Sequence, residues 1–347
     1  MNPQSQFGIR SVAICCCLMT LAAMMCFLTI GCGGGGSSSG GTPQSVTYSG
    51  LTTPALITQD NAATMAAGAV GSGSSADGFT GIASLDNTAQ GTQDASKPFL
   101  YSVSKAAKEA IEQIDFDSAS GVNTRTAVEN ESNTISGSCG GNAAYSIQVD
   151  TDTGAFSGNM SFSDYCEEGM TTNGNTTFQG VVDLKTETIE SFTFDFNYIT
   201  GTFGSESITM DGQIAYRQSG STIYMTMNMA IQDNNRTDFV CKVENFQVAL
   251  TERYGSSDLD VSGRFYDPDY GYVDMDTTSV LSINDNDEYP NSGVVLLTGE
   301  LGTAGGATKA RLTTLSSTQC QVEADTNGDG TYDYDSGAML WRDLDAS

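Results

Sequence analysis

From Ala143 to Trp341 apolar and polar side chains alternate with a period of two, and no other feature of the chain restricts its fold as strongly. Phe192, Phe194, Phe196 and Tyr198 are interleaved with Thr193, Asp195 and Asn197; Ile223, Met225, Met227, Met229 and Ile231 are interleaved with Tyr224, Thr226, Asn228 and Ala230. Successive side chains of a strand point to opposite faces, so this pattern builds strands with one dry and one wet face, as antiparallel sheets require. Short segments rich in Gly, Asp and Asn punctuate it at 151–154, 219–220, 233–235, 267–271 and 325–330. About a dozen strands result.

Hairpin register tests the pattern. With Asp150 paired to Ala155 around a tight turn, Val149 meets Phe156, Tyr145 meets Met160 and Ala143 meets Phe162, apolar opposite apolar throughout. The same register carried backward sets Cys139 opposite Cys166, at the short Cβ separation a disulfide needs. A two-residue loop at Ser219-Gly220 pairs Tyr216 with Ile223, Ile214 with Met225 and Met210 with Met229, and puts Gly212 against Met227. Gly158, Gly180, Gly212 and Gly263 all fall mid-strand on the apolar face, where glycine marks strong coiling or close approach of another element. The expected fold is mainly β: a curled antiparallel sheet, barrel or half-barrel, with two short N-terminal helices packed on it.

The first helix is read from the Ala-rich run Thr58 to Val70, capped by Thr58, with Asp60 in its first turn and its end at Gly71. A long loop over 71–95 leads to the second, with Ser96 as N-cap and Pro98 inside the first turn. Leu100, Val103, Ala107, Ile111 and Ile114 line one face of it, and Lys105, Lys108, Glu109 and Glu112 the other.

Charge and chemistry narrow the function. Forty-two acidic against 14 basic residues leave a net charge of −28, which excludes a basic nucleic-acid footprint and makes divalent cations the natural partners. Histidine is absent, removing Ser-His-Asp and Cys-His catalysis and His-ligated zinc or copper. No recognisable catalytic set remains, and the chain is read as acting by binding or by structural or adhesive interaction, stabilised by calcium, rather than as an enzyme. A hydrolase using paired carboxylates is one alternative.

At the N-terminus Arg10 precedes a mostly apolar stretch from Ser11 to Ile30; then come Gly31, Cys32, Gly33 to Gly36 and a Ser/Gly run to Gly41. The segment Leu28-Thr29-Ile30-Gly31-Cys32 resembles a bacterial lipoprotein signal, with Thr29 where that family usually carries Leu. The resemblance implies removal of residues 1–31, lipidation of the Cys32 thiol, and an exported protein anchored in the cell envelope, at the outer membrane, through that lipid. Read without it, an apolar stretch of this length also suffices to span a bilayer. Residues 32–44 then form a flexible tether reaching about 20 Å, 45–138 a helical and loop-rich segment, and 139–347 the β domain.

Of nine cysteines, Cys15, Cys16, Cys17 and Cys26 leave with the signal. Besides Cys32, four remain: Cys139, Cys166, Cys241 and Cys320. An even number in an oxidising compartment reads as two disulfides, and Cys241 and Cys320 are left for each other once Cys139 pairs with Cys166. Their strands would then have to be neighbours in space.

One motif carries recognisable chemistry. Asp325-Thr-Asn327-Gly-Asp329-Gly330-Thr331-Tyr-Asp333 places oxygen ligands at positions 1, 3, 5 and 9 around a bend glycine, with the Thr331 carbonyl at position 7. The stretch resembles the calcium loops of EF-hand and dockerin modules and, being flanked by strands, those at hairpin tips of integrin α-subunit propellers. That implies Ca²⁺ held by Asp325, Asn327, Asp329, Thr331 and Asp333, with Ser336 where the EF-hand has a bidentate Glu. Read alone, the Asn-Gly and Asp-Gly pairs make a tight turn. The acidic runs 267–271 and 284–288 read as solvated turns, and the stripe Met225, Met227, Met229 with Met160 and Met210 as core packing. Were the sheet an unfilled half-barrel, that face would become a cavity for lipid or another apolar ligand; the architecture then resembles lipoprotein-localisation carriers.

Overall fold

The structure, a computed structural model, describes residues 45–74, 98–113 and 128–344, apart from 185, 187, 237, 238, 286 and 288. Two helices, α1 (Ala62–Ser74) and α2 (Pro98–Glu112), precede the sheet. Its first half comprises β1 (Val128–Ser136), β2 (Gly140–Asp150), β3 (Ala155–Glu167), β4 (Met170–Asp183), β5 (Thr188–Phe203), β6 (Glu206–Ser219) and β7 (Thr222–Asp233). The second comprises β8 (Val240–Arg253), β9 (Ser256–Asp267), β10 (Gly271–Asn284), β11 (Ser292–Leu301), β12 (Ala307–Ser316), β13 (Gln319–Asp325), β14 (Tyr334–Asp335) and β15 (Met339–Leu340), followed by α3 (Trp341–Leu344). Each strand pairs antiparallel with the next from β1 to β14, and β15 folds back onto β13. The protein is thus mainly β, one large antiparallel meander with two short helices before it.

The expected closure into a barrel or half-barrel is not made: among the described residues no ladder joins the two ends of the sheet, which is neither closed nor strongly curled. Two of the mid-strand glycines serve the close approach of another element, whereas Gly212 and Gly263, at φ 129° and 137°, face neighbouring backbone. Gly158 faces Phe178 and Gly180 faces Phe156 across the ladder, and a Cβ on either would fall within 3 Å of the opposing ring. These two are sockets for aromatic side chains.

The apolar face forms one buried cluster with both helices. Ile223, Met225, Met227, Met229 and Ile231 are all buried on β7, so the methionine stripe is core. Phe156, Phe178, Phe192, Phe194 and Phe196 stack across β3 to β5 with ring centroids 4.3 to 6.4 Å apart. Leu100, Val103, Ala107 and Ile111 bury the predicted face of α2, which lies on β1 to β4; Ser96 and Ile114 fall outside the described residues. Phe99 sits directly on Gly201 of β5. On α1, Gly68 does the reverse and receives the ring of Phe265 from β9.

Several boundaries differ from expectation. The first helix starts at Ala62 rather than Thr58, because the Asn61 side chain accepts from the Thr58 amide and closes a turn first, and it runs through Gly71 to Ser74. The sheet begins with β1, ahead of residue 139: Val128–Ser136 lacks a strong alternation because residues 130–136 are exposed on both faces except Ile135, and it pairs residue for residue with β2. In the Ser219-Gly220 hairpin the partners are Ser219 with Thr222, Tyr216 with Met225, Ile214 with Met227 and Gly212 with Met229. Gly220, at φ 62°, occupies the first central position of the turn, where a primed hairpin turn needs positive φ; the ladder therefore slides, keeping its faces. Tyr198 leaves the apolar stripe it seemed to continue: it bulges out at φ 54°, and Ile199 takes the buried position.

Residues 45–57 form a strap that the alternation pattern did not reveal. The Val46 amide donates to Asp211, and Tyr48 donates to the carbonyls of Leu51 and Asp267. Farther along, the strap inserts between the splayed ends of β10 and β11. Tyr272 N–H donates to Thr53, Ala55 N–H to Tyr272, and Glu300 N–H to Ala55, while Ile57 N–H reaches Thr308. Residues 45–57 are thus stitched to five strands, β6, β9, β10, β11 and β12.

Candidate binding face

Cys32 and the rest of 1–44 lie outside the described residues, and no helix among the described residues is long and apolar enough to cross a membrane. Among the described residues one disulfide is present, Cys139–Cys166, with a Cα separation of 5.0 Å. The register behind it holds from Val149–Phe156 to Asn142–Ser163, then slips so that Gly140 pairs with Cys166. Asp164, at φ 47°, is the extra residue of this bulge, and the Cys139 amide donates to the Cys166 carbonyl at 3.1 Å. The second expected bridge is not made. Cys241 and Cys320 are buried thiols on β8 and β13, and the meander places β9 to β12 between their strands.

The tip at Asp325–Asp333 joins β13 to β14. Asp325 is 2% exposed and spends both oxygens on the tip's own amides: Oδ1 accepts from Gly328 at 2.7 Å and Asp329 at 3.2 Å, Oδ2 from Gly330 at 2.8 Å. Asn327 Oδ1 accepts from the Asp329 amide and Asp329 Oδ1 from the Thr331 amide. Asp333 accepts from both the amide and the hydroxyl of Thr326, which hold its carboxyl below the ordinary carboxylate range. The tip also docks on the turn between β11 and β12, where Ala304 and Gly306 amides donate to the carbonyls of Asn327 and Gly328. Among the described residues no three or more acidic, Cys or His side chains are gathered as a metal-holding group. In this arrangement Asp325 is engaged by the tip's own amides and Asp333 by Thr326.

The other acidic runs also bond within their own turns. Asp267, 4% exposed, accepts from the Asp269 and Tyr270 amides, and burial pushes its carboxyl up. Asn284 donates to Asp287 within its own turn.

Opposite the core, the wet face of the sheet carries mostly Ser, Thr, Asn and Gln, and two grooves cross it. One, of about 470 Å³, runs over β1 to β5 and is lined by Gln148, Ser157, Asn159, Thr177, Gln179 and Asp195. The other, of about 510 Å³, runs over β6 to β10 and is lined by Arg217, Tyr224, Gln247, Ala249, Asp260 and Asp276. Sequence reasoning passed over these residues because outward positions of strands look alike until the ladder says which are neighbours. The exposed aromatic Tyr224 among small polar residues was the one signal available. Comparison with known proteins finds no matching family, no similar characterised protein and no similar solved structure.

Proposed function

We propose that this chain is an exported, lipid-anchored binding protein that presents the polar face of its sheet at the cell envelope. The observation that carries the reading is the contrast between the two faces. The Phe and Met face is packed: Phe194, Met210 and Phe196 are at most 1% exposed within one continuous cluster. The polar face is open and grooved. A carrier of apolar ligands would need the first face vacant, so the packing favours the binding reading over it.

The anchor is tested at Cys32. Metabolic labelling with a fatty acid is expected to mark the wild type, and Cys32→Ser to abolish the label and accumulate the unprocessed precursor. Undiminished label in Cys32→Ser, or a mature N-terminus elsewhere, overturns the anchored reading.

Calcium is proposed as a structural ligand of the Asp325–Asp333 tip. Asp325, Asn327, Asp329, Asp333 and the Thr331 carbonyl would hold it, and Asp333 would exchange its bonds to Thr326 for the ion. That exchange, with no bidentate Glu to follow, puts affinity at about 10⁻⁴ to 10⁻³ M. At tenfold excess the stabilisation is about 1.4 kcal/mol. The melting temperature in CaCl₂ is therefore expected to exceed that in EDTA for wild type, with the difference reduced in Asp329→Ala. Identical melting in both media reduces the tip to a turn.

A further inference from the structure

The groove over β6 to β10 is built as one row of side chains across four strands. The ladders pair Arg217 with Tyr224, Tyr224 with Ala249, and Ala249 with Asp260. The Arg217 guanidinium carbon lies 4.6 Å from the centre of the Tyr224 ring, covering the side toward β6. Tyr224 is 40% exposed, and its next neighbour in the row, Ala249, offers only a methyl. The ring side toward β8 therefore opens over a shallow floor with a carboxylate beyond it.

We propose that this groove binds a neutral saccharide, one sugar ring lying over Ala249 between Tyr224 and Asp260; the assignment rests on reading the polar face as a binding face. Two strand spacings separate β7 from β9, about 10 Å. That span takes a saturated ring whose C–H face lies about 4 Å from the tyrosine and whose hydroxyl reaches the carboxylate at about 2.7 Å. Gln247 and Asp276 line the same groove, so its rim offers both donors and acceptors. Each sugar hydroxyl also donates and accepts, which matches such a rim. An anionic glycan meets two carboxylates on a chain of net charge −28. A simple cation leaves the Gln247 amide N–H and the Arg217 donors unused.

The test uses the full-length protein purified in a non-glycosidic detergent, with maltohexaose, cellohexaose and chitohexaose as probes and spermine as the cationic comparison. Saturation-transfer NMR is expected to detect at least one hexasaccharide. Tyr224→Ala should weaken it at least about tenfold, Tyr224→Phe should retain it, and Ala249→Leu should block it by filling the floor. Melting temperatures unchanged from wild type exclude unfolding as the cause. Three results would each overturn the assignment: no hexasaccharide bound at millimolar concentration, spermine as the only ligand, or binding indifferent to both Tyr224→Ala and Ala249→Leu. Loss of the saccharide with acylation of Cys32 intact sinks the groove assignment alone, leaving the anchored reading in place.

Discussion

Phe99→Ala is expected to lower the free energy of unfolding by about 3–5 kcal/mol. The ring is 2% exposed and rests where Gly201 of β5 has no side chain. It joins α2 to β5, and truncation leaves a cavity that the glycine cannot fill. The reciprocal change, Gly201→Ala, puts a Cβ 2.1 Å from that ring and overpacks the site, at a cost of about 1–3 kcal/mol. In the double variant the new methyl enters the space the ring vacated. Its cost should fall below the sum of the two single costs, the signature of groups that share a contact. Urea denaturation of the four proteins decides it, and strictly additive losses would show that the two residues do not form a socket.

Loss of the Cys139–Cys166 bond is expected to cost about 3.5 kcal/mol on the chain-entropy scale. The bond closes a loop of sequence separation 27 and clamps β2 to β3 where the ladder between them slips. Cys139→Ala and Cys166→Ala should be equally destabilised, and neither should respond further to dithiothreitol. Cys241→Ala and Cys320→Ala should keep the full response to reductant, because those thiols are not bridged to each other. Non-reduced peptide mapping supplies the check: a Cys241–Cys320 peptide would contradict the structure, and a Cys139–Cys241 peptide would contradict both structure and register.

Alternation made the fold class legible because its period is a direct property of the strand. The β2–β3 ladder was legible for the same reason: Tyr145 and Met160, or Val149 and Phe156, bury only if they are partners. The disulfide followed from that register, although a bulge at Asp164 moved the pairing by one residue. The Gly220 hairpin was not legible in the same way. Sliding by a residue on each side preserves every face, so hydrophobic pattern alone cannot choose between the two registers, and turn geometry does. The calcium-type loop was legible as a motif; that Asp325 would turn both oxygens onto its own amides was not.

What the sequence by itself determined is local and periodic: which residues face the core, which segments turn, that α2 is amphipathic, and that no histidine chemistry is available. What only the tertiary structure decided is non-local. Whether the sheet closes depends on the accumulated geometry of its many ladders, to which each hairpin adds a little and none is decisive. The strap of residues 45–57 finds its place only because β10 and β11 splay apart and leave backbone groups of Tyr272 and Glu300 to be paired. The row Arg217, Tyr224, Ala249, Asp260 exists only across four strands. No periodicity along one strand encodes which outward side chains will stand side by side on the next, since solvent-facing positions carry little of the burial energy that sets the register.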